Sequence, residues 1–350
     1  MKRKNLFTTL LFAVALFLAW PLPAQGSFEW KSASPKSLGL DEKKIQAFLA
    51  ELPDTLVTSC VIVKDGTIAS EYYKAGYGAD SVFSMQSVSK SVTSAVVGVA
   101  IQQGYFKLDD AILQFFPEAK NLAVCRGESK ALFEKITVRH LLTNTSGLVS
   151  TDSALWGAWR ASGDWIKFLF DRPMQHEPGK VFEYSTGNTH LLSAIVQRTT
   201  KKTLDQYGRQ VLFNPLGMES ARFESDPKGI GDGGNGAHLS ARDMARFGLL
   251  YLRRGAWQGK QIVPASWVDE SIKIQVPKQA RYGFQWWVRW FGKAEARGFF
   301  AHGWGEEVIA VIPSKNLVVT FSSREPDNRK NATYWRWIGQ VVDAAARVDE

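Results

Sequence analysis

Ser87 and Lys90 stand three residues apart in the run Ser87-Val88-Ser89-Lys90, at the head of an apolar helical stripe. On a helix this spacing puts a hydroxyl and an amine on one face, about one turn apart and within reach of each other. A serine hydroxyl attacks a carbonyl only after a base takes its proton, and an amine can be that base when burial or neighbouring positive charge weakens its hold on protons. Apolar residues at 85, 88, 92, 96 and 99 supply the burial. The helix N-terminus adds free backbone N–H groups and the positive end of its dipole, both of which favour negative charge on an attacked carbonyl oxygen. Taken alone, Ser-x-x-Lys also fits a solvated helix start, so other segments must decide.

Two of them do. Glu183-Tyr184-Ser185-Thr186-Gly187-Asn188 follows the turn Pro178-Gly179 and precedes an apolar helix, which puts Tyr184 on a loop where its phenol would share a proton with Lys90 and Ser87. Phe299-Phe300-Ala301-His302-Gly303-Trp304-Gly305 reads as a strand punctuated by glycine. A glycine in a strand marks close approach of another group to the backbone, which suits an N–H donor to an oxyanion. His302 reads either as a substrate contact, or modulator of Lys90, or as a hydrogen-bond partner for a loop. His140 reads as structural. His176, His190 and His238 have no ligand spacing with each other or with a carboxylate, so no metal site is expected. Asp109-Asp110 fits a cap or turn. Trp286, Trp287, Trp290 and Trp304 fit either an acyl pocket or the core, and only Trp304, through its backbone, is assigned to the site. The chain has neither a Gly-x-Ser-x-Gly elbow nor a phosphate loop.

The elements that must position these groups follow from periodicity. A helix opens at Leu40-Asp41, with Ile45, Phe48 and Leu49 apolar, and ends by Pro53. β-branched runs over 57–63 and 67–73 flank Asp65-Gly66, a hairpin signal. The apolar stripe from Met85 runs to Gly104, with Ser84 as its expected cap. Short helices and turns follow over 112–116, 138–142, 165–170, 189–199, 204–212 and 241–252. Strand patterns return over 283–290, 299–301, 308–312 and 317–322, before a last helix over 335–345. A sheet built from both chain ends around a helical insertion would put a cleft at their junction. The expected division is a leader over 1–24, an α/β domain from 25–83 and 262–350, and a mainly helical domain over 84–261 that carries the nucleophile helix at the interface.

Composition agrees with an ordinary globular chain: 350 residues, 45% hydrophobic and 22% charged, with 29 Gly and 13 Pro. Lys2, Arg3 and Lys4 precede an apolar run from Leu6 to Trp20 and then Leu22-Pro23-Ala24, the layout of a secretory leader cleaved after Ala24. Export to the periplasm or the exterior is therefore expected, and a membrane would be touched only through an uncleaved leader. Those three cations belong to the formal charge of +9, and the rest is spread without a basic face, so no nucleic-acid partner is expected. Cys60 and Cys125 are too few and too far apart for a disulfide scaffold or a metal motif. An exported chain could join them, but Cys60 lies in a strand-like run and fits a small core residue.

These motifs resemble the serine β-lactamase and penicillin-binding protein superfamily, in its branch of class C β-lactamases, esterases, D-aminopeptidases and 6-aminohexanoate-dimer hydrolases. The likeness covers about residues 38–343, through the stretches 83–91, 136–148, 214–218, 239–248 and 282–287. Tyr184-Ser185 with Gly187-Asn188, and Gly303-Trp304-Gly305, are most similar to the 6-aminohexanoate-dimer hydrolase and esterase-like members. The resemblance implies an α/β (α+β) fold of the β-lactamase/transpeptidase type, an antiparallel sheet flanked by helices with an inserted mainly helical domain. It implies Ser87 as acylated nucleophile, Lys90 as base and Tyr184 as proton relay. The backbone N–H groups of Ser87 and Trp304 would form the oxyanion hole, and no metal or organic cofactor is implied.

Two departures bear on substrate. Many relatives have Tyr-x-Asn where this chain has Thr186, so the amide contact to substrate is either missing or supplied by Asn188, with His302 and Gly303 as further expected substrate contacts. Penicillin-recognising relatives carry a Lys-Thr-Gly strand, and the aligned residues here are Ala301-His302-Gly303, without the cation. Glu306 or Glu307, if facing the cleft, would repel a carboxylate. Hydrolysis of a small neutral or cationic ester or amide is expected ahead of the alternatives. Those are a D-amino-acid peptidase or weak β-lactamase acting on cell-wall peptides, and a catalytically silent binding protein of the same fold.

Overall fold

The structure, a computed structural model, describes residues 28–152, 154–276, 280–323 and 333–345. The expected leader lies outside the described residues. The first helix, α1 (Glu42–Leu49), is capped by Asp41, whose carboxylate accepts from Lys44 N–H at 3.2 Å, and it buries Ile45 and Phe48. β1 (Val57–Lys64) and β2 (Thr67–Tyr73) form the hairpin signalled by Asp65-Gly66. Both turn residues take positive φ, 52° and 79°, as a two-residue turn with the twist of its strands requires.

β3 (Val82–Ser84) leads into α2 (Val88–Gln102). Ser84 does not cap the helix, as its position suggested, but ends a strand paired with His238, and the N-cap is Ser87. Met85, counted in the helical stripe, belongs to the link, where its N–H donates to Ala237 O at 2.8 Å.

The middle of the chain contains α3 (Val138–Leu142), α4 (Trp165–Phe170) and α5 (Thr186–Thr200). After them come β4 (Arg222–Phe223), β5 (Ala237–Ser240) and α6 (Ala241–Leu252). The helix expected over 204–212 is α-helical only over Leu204–Gly208 and continues as a π turn over Arg209–Phe213.

The last third supplies β6 (Trp287–Phe291), β7 (Ala296–His302), β8 (Val308–Ile312), β9 (Leu317–Ser323) and α7 (Thr333–Ala344). β6 starts later than its apolar run, because Gly283 N–H donates to Trp286 O at 2.8 Å and Gln285 takes φ 64°, a tight turn in place of extended chain.

Six strands form one antiparallel sheet in the order β2-β1-β9-β8-β7-β6, with Cys60 opposite Phe321 and Val308 opposite His302. Strand alternation sends Val61, Val63, Ile309, Val311 and Val318 into a large core shared with the helical region. Cys60, Ile62, Ala310, Ile312 and Val319 enter a second core that includes residues of α1 and α7. Burial on both faces is why these strands read as unbroken apolar runs instead of alternating ones. The result is the mixed fold that the sequence implied, an antiparallel sheet flanked by helices. A smaller sheet, β3-β5-β4, anchors the start of α2. Both cysteines are free thiols, and burial in β1 pushes the Cys60 thiol well above the usual range.

Candidate active site

Residues 85–87 join β3 to α2 under firm constraint. Besides the Met85 bond, Ala237 N–H donates to Ser89 Oγ at 2.9 Å, and Gln86 takes a left-handed φ of 46°. A non-glycine residue pays for that conformation in strain, and the surrounding bonds hold it there. Ser87 is thereby fixed at the N-terminus of α2, yet its hydroxyl makes no capping bond.

That hydroxyl is instead engaged by Lys90, whose Nζ lies 2.9 Å from Ser87 Oγ. Lys90 is 1% exposed, and Nζ also donates to Thr186 Oγ1 and to Gly234 O, each at 2.9 Å. Tyr184 covers the amine with its ring, the centroid 4.8 Å from Nζ, a cation–π arrangement. The ring is itself stacked on Trp287 with centroids 5.8 Å apart, and Ser150 Oγ donates to Tyr184 O at 2.7 Å. Ser87, Lys90 and Tyr184, drawn from a helix and a loop almost a hundred residues away, are thus brought together.

A cavity of about 500 Å³ opens onto Ser87, lined by Gln86, Asp152, Trp156, Asn235 and Trp304. Another, of about 550 Å³ beside Asn214, Asp243 and Arg246, has neither Ser87 nor Lys90 in its lining. β7 ends at His302, and Gly303 continues alongside the Met85–Ser87 link, its N–H donating to Glu307 O at 2.7 Å. Among the described residues, neither the Ser87 N–H nor the Trp304 N–H has an acceptor, and both residues line the cavity. Such a pair of backbone donors can stabilise an oxyanion.

Three residues missed in the sequence line this cavity: Asp152, Trp156 and Asn235. Asp152 matters most, because its Oδ1 accepts from Thr186 Oγ1 at 2.9 Å and its Oδ2 accepts from Thr186 N–H. No motif surrounds it, and its partner is 34 positions away.

Several expected contacts are different in the structure. Asn188 does not reach the cavity: it is 2% exposed, its Oδ1 accepts from Ser146 Oγ at 2.8 Å and its Nδ2 donates to Asn144 Oδ1 at 2.9 Å. The cause is helical geometry, since two residues beyond Thr186 on α5 point to another side. His302 is not in the cavity lining either: its Nε2 lies 2.9 Å from Tyr334 OH, and burial lowers its pKa to about 4, leaving the ring neutral. Glu306 and Glu307 do not face the cleft; both are buried, and desolvation pushes the Glu307 carboxyl up to about 8. The carboxylate on the cavity is that of Asp152. Of the other histidines, His190 meets Asp226 at 3.0 Å and His238 meets Glu224 at 2.7 Å, pairings that chain spacing did not show. His140 serves α3, its Nδ1 accepting from Thr137 N–H at 3.1 Å. Among the described residues no group of three or more His, Cys, Asp or Glu gathers to hold a metal.

The family described as Beta-lactamase matches residues 45–343. The 6-aminohexanoate-dimer hydrolase of Paenarthrobacter ureafaciens is 25% identical over 336 residues, covering 87% of this chain and 84% of that protein. Among solved structures, EstCE1, a hydrolase with promiscuous acyltransferase activity, superposes with a TM-score of 0.69 at 16% identity, covering 89% of this chain and 98% of that one. A penicillin-binding protein from Bacillus halodurans gives a TM-score of 0.67 at 16% identity, covering 86% and 100%. At those identities the two structures speak for the fold alone.

Proposed function

This chain belongs to the β-lactamase family, and on that premise we propose that it is a serine hydrolase that cleaves an ester or amide through an acyl-enzyme on Ser87. The observation that carries the reading is the 2.9 Å contact between Ser87 Oγ and the buried Lys90 Nζ at a helix N-terminus. In its neutral form Lys90 takes the Ser87 proton as Oγ bonds to the acyl carbon. The carbonyl oxygen gains the negative charge, and in this reading the Ser87 and Trp304 N–H groups receive it. Collapse of that intermediate breaks the bond to the leaving group, which departs with the proton passed from Lys90 by way of Tyr184. Water then repeats the sequence on the acyl-enzyme, releasing the acid and restoring Ser87.

The substrate we propose is a small neutral or cationic ester or amide. The described residues lining the cavity include one carboxylate, Asp152, and no cation, and a negative substrate would be repelled there. His302, neutral and turned to Tyr334, supplies no compensating charge. Export, read from the leader pattern, is part of the same proposal.

The test is kcat/KM for three matched esters differing only in whether the acyl group ends in a methyl, an ammonium or a carboxylate. Turnover abolished by Ser87→Ala and weakest for the carboxylate supports the reading. Turnover independent of Ser87, or fastest for the carboxylate, contradicts it.

A further inference from the structure

Lys90 Nζ has three neighbours at hydrogen-bond distance, and two of them decide what the third can receive. Gly234 O, a carbonyl, can only accept. Thr186 Oγ1 could donate or accept, because a hydroxyl rotates to suit. Its direction is settled by Asp152: as a carboxylate Asp152 only accepts, and at 2.9 Å its Oδ1 takes the Thr186 hydroxyl proton. Thr186 Oγ1 must then offer a lone pair to Lys90. A neutral lysine amine has two N–H bonds and one lone pair. With both N–H bonds directed to Gly234 O and Thr186 Oγ1, the lone pair is left for the Ser87 hydroxyl proton.

We propose that Asp152 is a positioning residue for catalysis, which fixes the direction of the Thr186 hydroxyl and so aims the Lys90 lone pair at Ser87. This rests on the reading of Ser87 as the nucleophile. The chain of bonds runs through buried groups, Thr186 and Lys90 each being 1% exposed, where a hydrogen bond of the wrong polarity has no water to replace it. Asp152 itself lines the cavity, yet both of its carboxylate oxygens are engaged by Thr186, one by the backbone N–H and one by the hydroxyl.

Asp152→Asn reverses this polarity with little change in shape. The Thr186 N–H is an obligatory donor, so the amide oxygen must stay at the Oδ2 position, and the new NH₂ group faces Thr186 Oγ1. The hydroxyl then turns its proton toward Lys90 and competes with Ser87 for the lone pair. The experiment is a double-mutant cycle on the rate of acylation by a p-nitrophenyl ester, with Asp152→Asn made in the parent chain and in Thr186→Val, which has no hydroxyl to reverse. The expected result is a loss of about 100-fold or more in kcat with little change in KM for Asp152→Asn alone, and less than about threefold when it is added to Thr186→Val. Equal losses in both backgrounds, no loss in either, or a rise in KM with kcat intact would overturn the proposal, the last by making Asp152 a substrate contact. Near-ultraviolet circular dichroism checks folding. Should Asp152→Asn fail to fold, Thr186→Ser against Thr186→Val carries the test: the serine is expected to keep at least about tenfold more activity, and equal loss by both overturns the inference. Ser87→Ala run in parallel separates the two levels, since acylation that survives it defeats the nucleophile reading itself.

Discussion

Gly303 lies directly against the carbonyl of Met85: a Cβ added at Gly303 would stand 2.5 Å from Met85 O and 3.1 Å from Gln86 Cβ. Two segments more than two hundred residues apart thus meet main chain to main chain at the link that carries Ser87, and Trp304, the next residue after Gly303, lines the same cavity as Ser87. The requirement is for space and not for an unusual φ, since Gly303 is absent from the positive-φ glycines. Gly303→Ala is expected to force the end of β7 away from the Met85–Ser87 link. Ester turnover should fall by about 100-fold, the scale of losing an oxyanion donor, while the melting temperature drops by only a few degrees. Steady-state kinetics and thermal unfolding on the same preparation check this.

Glu307 makes a prediction about pH. Its carboxyl is buried beside this loop, and its pKa of about 8 stands above the ordinary 4.5. The folded chain therefore holds this proton at pH values where the unfolded chain has released it. The stability this proton contributes is fully present below about 4.5 and is lost as pH rises toward 8, by about a few kcal/mol. Glu307→Gln, which carries no charge at any pH, should gain in melting temperature relative to the parent as pH goes from 5 to 8. A gap that stays constant over that range would contradict the assignment.

Tyr184→Phe keeps the ring that stacks on Trp287 and covers Lys90, and removes only the hydroxyl. If that hydroxyl relays the proton to the leaving group, the loss must depend on whether the leaving group needs one. An alkyl ester or amide should slow by about 100-fold, whereas a p-nitrophenyl ester, whose phenolate leaves unprotonated, should slow by less than about tenfold. Comparing kcat for the two substrates decides it, and a uniform loss would assign Tyr184 to support of Lys90 alone.

What could be read in the sequence was whatever local periodicity carries. The hairpin at Asp65-Gly66, the stripe of α2 and the spacing of Ser87 and Lys90 all lie within a few residues, and α4, α6 and β8 occupy the runs read for them. β3, β4 and β5 were missed because strands of two to four residues show no period, although they pin the nucleophile link. The site's finer wiring was also out of reach. Gly234 O is 144 positions from Lys90, and Asp152 is 34 from Thr186, with nothing in either stretch to announce the contact. Asn188 shows the converse: a polar residue in the right motif suggests a substrate contact, but one half-turn of helix buries it against Asn144 and Ser146.

The most direct test of the central claim is the intact mass of the protein after brief exposure to a fluorophosphonate and, separately, to an activated ester under acid quench. The account predicts one adduct per chain in each case, located on the peptide holding Ser87, and none in Ser87→Ala. An adduct that persists in Ser87→Ala, or a folded parent chain that takes up no label from either reagent, would contradict it.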